Sequence, residues 1–235
     1  MCVVVRPLVE LLRGPDETDV EWLLRRAGNL RRAKDAVDVA FACAGQGERE
    51  RAAWDRALRT FRVAVDVMYP EEFWSDARRL AEGDPIAVEP ALVFLEADPW
   101  CFRSGYAKAT LVRRLGRHRL TPDHRDRLAC VLVHVVEAGD RREFRFYCNL
   151  AAKNASQTLR VGLKDRLCCD EPGVRRGALL MLLTMRHPRL NPSEMSRARR
   201  IILGGARRRD HPFWRHSGGR LTRRFWTRER GVKSW

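Results

Sequence analysis

The chain has 235 residues, of which 45% are hydrophobic and 32% charged, and it carries a formal net charge of +16. That balance excludes disorder throughout and leaves ample length for a buried core. Uncharged stretches such as 128–136 and 177–185 fall far short of the roughly 20 residues a bilayer span needs, so no transmembrane segment is predicted.

The opening apolar run, Met1 to Val5, has no basic region before it and meets Arg6-Pro7 at once. This predicts no signal peptide and a cytoplasmic protein. Seven cysteines, at 2, 43, 101, 130, 148, 168 and 169, form an odd set without a Cys-x-x-Cys pair. They argue against a disulfide framework or a thiolate zinc site. Most fall on apolar helix faces, where reduced cysteine behaves as a small hydrophobe. Adjacent Cys168 and Cys169 could close only a strained ring. Arginine far outnumbers lysine, which fits phosphate recognition and GC-rich codons equally.

Apolar residues recur with helical spacing along nearly the whole chain, and strand-like alternation is almost absent. Val20, Leu23, Leu24, Ala27 and Leu30, continued by Ala33, Val37, Ala40, Phe41 and Ala44, predict a long first helix with a break near Gly28-Asn29. Gly45-Gln46-Gly47 ends it. Trp54, Leu58, Phe61, Val65 and Met68 mark a second helix that stops before Pro70, so the chain begins with a helical hairpin. Phe73, Ala77, Leu80 and Ala81 predict a shorter helix closed by Gly83-Asp84-Pro85. Helices follow at about 86–97, 102–116, 122–137, 142–153, 156–168, 172–186 and 192–204. Thr121-Pro122 and Asn191-Pro192 each set a capping side chain before a proline at the first helical position, and Glu194 completes a capping box with Asn191.

An internal repeat emerges from the second helix of each pair. Asp98, Asp140 and Asp170 each open a copy; Phe102, Phe144 and Val174 stand four residues on, Arg103, Arg145 and Arg175 five, and Tyr106, Cys148 and Ala178 eight. This pattern resembles the second helix of HEAT repeats over about residues 84–204. The resemblance implies an all-α, HEAT-like helical-repeat solenoid preceded by a helical hairpin. It also implies that the Asp and Arg side chains tie adjacent turns together. Three segments are expected: an N-terminal helical segment at 1–83, HEAT-like repeats at 84–206 and a basic aromatic segment at 207–235.

No Gly-rich phosphate loop, nucleophile elbow or zinc-protease spacing is present. None of the histidines, at 118, 124, 134, 187, 211 and 216, has a ligand partner four residues on. No cofactor, metal site or catalytic residue is therefore predicted. Glu71-Glu72 reads as the acidic first turn of a helix.

The informative asymmetry is electrostatic. Residues 186–235 hold 15 Arg or Lys against Glu194, Asp210 and Glu229, which is +12 of the chain's +16. Phe213-Trp214-Arg215 and Phe225-Trp226-Thr227-Arg228 are similar phrases bridged by Ser217-Gly218-Gly219. Guanidinium forks suit phosphates, and aromatic rings stack on unpaired bases. The expected nucleic-acid contacts are Arg207, Arg208, Arg209, Trp214, Arg215, Arg220, Arg223, Arg224, Trp226 and Arg228. An acidic protein partner or an anionic membrane surface would also suit such a segment. The expected function is a non-catalytic binding protein that contacts nucleic acid, with an adaptor for an acidic protein as one alternative. The other alternative rests on fold alone: alkylpurine DNA glycosylases are similar in using a compact HEAT-like solenoid with a basic face. In them an acidic residue stands beside aromatic rings, for which Asp98 with Trp100 is the nearest candidate.

Overall fold

A computed structural model describes residues 16–139 and 141–187, all within one compact unit. The expected helix at 192–204, with its Asn191 and Glu194 capping box, lies outside these residues, as does the segment 207–235. Among the described residues the structure is helical, with no strand. The helices are α1 (Asp19–Cys43), α2 (Glu48–Met68), α3 (Glu71–Glu82), α4 (Val88–Ala97), α5 (Ser104–Leu115), α6 (Pro122–Glu137), α7 (Phe144–Lys153), α8 (Gln157–Leu167) and α9 (Pro172–Arg186).

Local chemistry accounts for their ends. Thr18 and Glu21 form a reciprocal capping box at the start of α1, each side chain satisfying the other's backbone N–H. Thr121 accepts from the His124 N–H ahead of Pro122 on α6, and Ser156 accepts from the Leu159 N–H on α8. Gly83, at φ 96°, closes α3 in the left-handed conformation that glycine adopts without a Cβ penalty. Glu71 and Glu72 occupy the first turn of α3, where carboxylates complement the helix dipole. The expected break at Gly28 is absent: α1 runs through it, and a Cβ there would meet only the Arg32 side chain at 3.6 Å. One glycine with strong helix formers around it costs about 1 kcal/mol, too little to interrupt a long helix packed on its neighbours.

Packing alternates. α4 packs on α6 and α6 on α8; α3 packs on α5, α5 on α7 and α7 on α9; α1 meets both α2 and α4. Contacts therefore join elements two apart in the chain, forming two layers with an apolar seam between them. One continuous core fills that seam, from Leu30, Met68 and Leu80 through Leu92, Leu115 and Leu132 to Leu159, Ala178 and Met181. Leu132 is fully buried in the middle of it. Leu132→Ala should cost about 2–5 kcal/mol by the lost transfer energy and the cavity left behind, measurable as a drop in the denaturant midpoint at unchanged m-value.

The α1–α2 hairpin departs from this pattern. Its buried residues, Arg26, Ala27, Leu30, Ala33 and Met68, all lie near the end that joins the core. Between 34 and 67 no residue is buried, and pairs such as Phe41 against Trp54, with ring centroids 5.7 Å apart, hold the two helices together.

Basic side chains knit the second layer. His118 Nε2 contacts the Leu80 carbonyl at 2.6 Å and Arg114 donates to that of Ala77, so two side chains from the end of α5 satisfy carbonyls of α3. Lys153, at the end of α7, does the same for the Gly116 carbonyl after α5 at 3.0 Å. The ends of α5 and α7 thus each send basic side chains to carbonyls near the C-terminal end of the preceding helix in their layer.

Candidate functional sites

The α4–α5 corner turns through two left-handed residues, Asp98 at φ 43° and Arg103 at φ 65°. Asp98 C-caps α4, and aspartate tolerates this conformation better than most side chains. Its carboxylate receives both terminal nitrogens of Arg141 at 2.5 Å, a bidentate fork. Lys108, fully buried on α5, stands 2.7 Å away as an ion pair. His134 Nε2 on α6 lies 3.7 Å from the other oxygen. One carboxylate thus joins α4, α5, α6 and the turn before α7.

Two more buried groups lie beside it. Glu143 presses against the bare Cα of Gly105, where an added Cβ would sit 3.0 Å from Glu143 Oε2. Glu143 Oε1 and the Tyr147 hydroxyl are buried without a hydrogen-bond partner. Burial and the nearby charges of Asp98 and Glu143 push the Tyr147 phenol well above its ordinary range, so it stays protonated.

Burial pushes the Asp98 carboxyl up, but the hydrogen bonds from Arg141 and the charge of Lys108 outweigh it, and its pKa ends below the usual aspartate value. Burial likewise pulls the Lys108 ammonium down, against the attraction of Asp98. A depressed carboxyl has a signed consequence. In the acid range the unfolded chain binds the Asp98 proton first, so this contribution to stability is complete above about pH 4 and is lost as pH falls through the folded value. The melting temperature should therefore fall between pH 4 and pH 2.5, and Asp98→Asn should flatten that slope.

The pairing differs from the expected one. Asp98 does tie neighbouring turns, but its partners are Arg141 and Lys108, not Arg103. Arg175 binds no carboxylate; it donates to the Cys169 and Asp170 carbonyls at 2.7 and 3.0 Å. The guanidinium of Arg145 lies 4.5 Å from the centre of the Phe146 ring. Asp140 is outside the described residues. The register also differs. Ala107, Lys108 and Leu111 are buried on α5, and Tyr147, Cys148 and Ala151 on α7, an offset of forty residues where the repeat Asp98 to Asp140 implies forty-two. The turn after Asp98 is two residues longer, through Pro99 and Trp100. Tyr106 is accordingly 59% exposed, whereas Cys148 and Ala178 are buried.

Charge is unevenly spread along the second layer: α3 is acidic, with Glu71, Glu72, Asp76 and Glu82, and the three helices that follow it in that layer are not. α5, α7 and α9 contain no Asp or Glu, and they carry Lys108, Arg113, Arg114, Arg145, Lys153, Arg175, Arg176 and Arg186. Apart from buried Lys108, none of these has a carboxylate within ion-pair distance among the described residues. In the other layer, Arg127 on α6 is gripped by Glu89 and Glu96 of α4, and Arg166 on α8 by Glu137 of α6. No contiguous charge run betrays this segregation in the sequence, because the basic residues sit on three separate helices.

Among the described residues no group of His, Cys, Asp and Glu is placed to hold a metal ion. No described helix is long and apolar enough to cross a membrane. The expected nucleic-acid contacts from Arg207 to Arg228 all lie outside the described residues. Comparison with protein-family models, curated proteins and solved structures gives no match.

Proposed function

We propose that this chain is a non-catalytic nucleic-acid-binding protein, built as a HEAT-like stack of helical pairs and extended by the Arg/Trp-rich segment 207–235. The observation that carries the proposal is the absence of any carboxylate from α5, α7 and α9, whose arginines have no carboxylate partner among the described residues, while Arg127 and Arg166 of the opposite layer are paired. Unpaired guanidinium groups on a rigid support are phosphate receptors, and the segment 207–235 adds ten Arg or Lys against Asp210 and Glu229. The alternating packing of first and second helices supports the solenoid form of the scaffold.

The test is a titration of the full chain with labelled single-stranded and duplex oligonucleotides from 50 to 200 mM salt. Log affinity should fall linearly with log salt, by about 0.7–0.9 per neutralised phosphate. No binding at 50 mM salt would defeat the proposal. Pull-downs with and without nuclease separate it from the adaptor reading, in which capture of an acidic protein survives nuclease. The glycosylase reading has Asp98 beside Trp100 to support it, but that carboxylate is already engaged by Arg141 and Lys108. Release of base from alkylated duplex DNA would reinstate it.

A further inference from the structure

The forty-residue register sets Tyr106 of α5 and Phe146 of α7 at the same position on adjacent helices. Across this seam three exposed arginines rest on the two rings. The Arg142 guanidinium lies 4.8 Å from the centre of Tyr106 and donates to its hydroxyl at 2.6 Å. Arg113 reaches over from α5 to within 5.2 Å of the Phe146 centre, and Arg145 approaches the same ring at 4.5 Å. None of the three has a carboxylate partner among the described residues. Glu143, which lies between Arg142 and Arg145 in sequence, is buried against Gly105.

Stacking uses the face of a guanidinium and restricts its rotamers, while most of the N–H donors on its edge stay free. Two cations converging on one ring repel each other, and an anion held between their edges relieves that repulsion. The carboxylates of an acidic peptide would satisfy the charges, but they make no use of a ring. Tyr106, more than half exposed beside those charges, offers an aromatic face next to phosphate receptors, the combination on which an unpaired base stacks.

We infer that the α5–α7 seam is a single-stranded nucleic-acid site, in which Arg113, Arg142 and Arg145 hold backbone phosphates and Tyr106 supports an unpaired base. This rests on the nucleic-acid reading above and assigns it a place on the helical unit, apart from the segment 207–235.

The experiment measures fluorescence anisotropy of the full chain with labelled oligothymidine and with a duplex of equal length, at several salt concentrations. Variants are Arg113→Ala, Arg142→Ala, Arg145→Ala, Tyr106→Ala and Tyr106→Phe, with thermal melts to establish folding; all four substituted side chains are exposed. Each arginine variant should lower the single-strand salt slope by about 0.7. Tyr106→Ala should weaken oligothymidine binding by about 5- to 100-fold with little change on duplex, and Tyr106→Phe, which keeps the ring, should retain most of the affinity. If the full chain binds but these variants match it in affinity and slope, the seam site is overturned while the broader function stands on the tail. If the arginine variants act but Tyr106→Ala leaves single-strand affinity unchanged, the single-strand assignment is overturned. If the full chain binds neither oligonucleotide, both proposals are overturned together.

Discussion

Asp98→Asn should destabilise the protein by about 3–5 kcal/mol, the range for stripping one partner from a buried ion pair. Asparagine tolerates the left-handed backbone that Asp98 adopts at φ 43°, so the substitution removes charge with little change of shape. It leaves Lys108 and Arg141, both more than nine-tenths buried, facing each other without an anion. For a chain of this size the loss corresponds to roughly 6–20 °C in melting temperature. Lys108→Met makes the contrast: the flexible side chain fills a similar volume, and Asp98 keeps its bidentate bond to Arg141, so the cost should be smaller. Calorimetry of the two variants decides the matter. An Asp98→Asn protein that melts with the parent would remove Asp98 as the tie between turns.

Removal of residues 207–235 should lower nucleic-acid affinity by about 100-fold or more at 50 mM salt and cut the salt slope by several units, since each lost phosphate contact releases fewer counterions. The deletion takes away Arg207, Arg208, Arg209, Arg215, Arg220, Arg223, Arg224, Arg228, Arg230 and Lys233 and spares every described helix. Trp214→Ala or Trp226→Ala in the full chain should each cost about 1–3 kcal/mol on single strands while barely changing the slope, because stacking releases no counterion. Truncated protein that binds as tightly as the full chain would remove the tail as a contact and leave α5, α7 and α9 as the surface.

Much of the fold was legible in the sequence, for identifiable reasons. Thr121-Pro122 and the stripe from Leu128 to Val136 fix both ends and the buried face of α6, and Pro172 with Val174, Ala178, Met181 and Met185 does the same for α9. These are local signals, written in caps and period. The ties between turns were less legible. Arg141 reaches Asp98 across 43 residues, and no local rule distinguishes it from Arg103 or Arg145. The Asp-to-Arg spacing repeats faithfully in sequence, but the longer corner at Pro99-Trp100 shifts α5 by two residues, so equal spacing does not mean equal position. Tyr106 was grouped with Cys148 and Ala178, which are buried, when its counterpart is Phe146. The aromatic pairing across the seam follows only once that register is known. The strongest sequence signal, the charge and tryptophans of 207–235, falls outside the described residues.

The α1–α2 hairpin gives the molecule an arm. Some 10 residues of α1 past its last buried side chain reach about 15 Å beyond the core at helical rise, and the turn 44–47 at their tip anchors nothing inside. Amide hydrogens there should exchange through local opening below the cost of global unfolding, and the exposed turn offers a site for limited proteolysis. A peptide, fluorophore or whole domain grafted at Gly45-Gln46-Gly47 would sit outside the core without altering any residue of α5, α7 or α9.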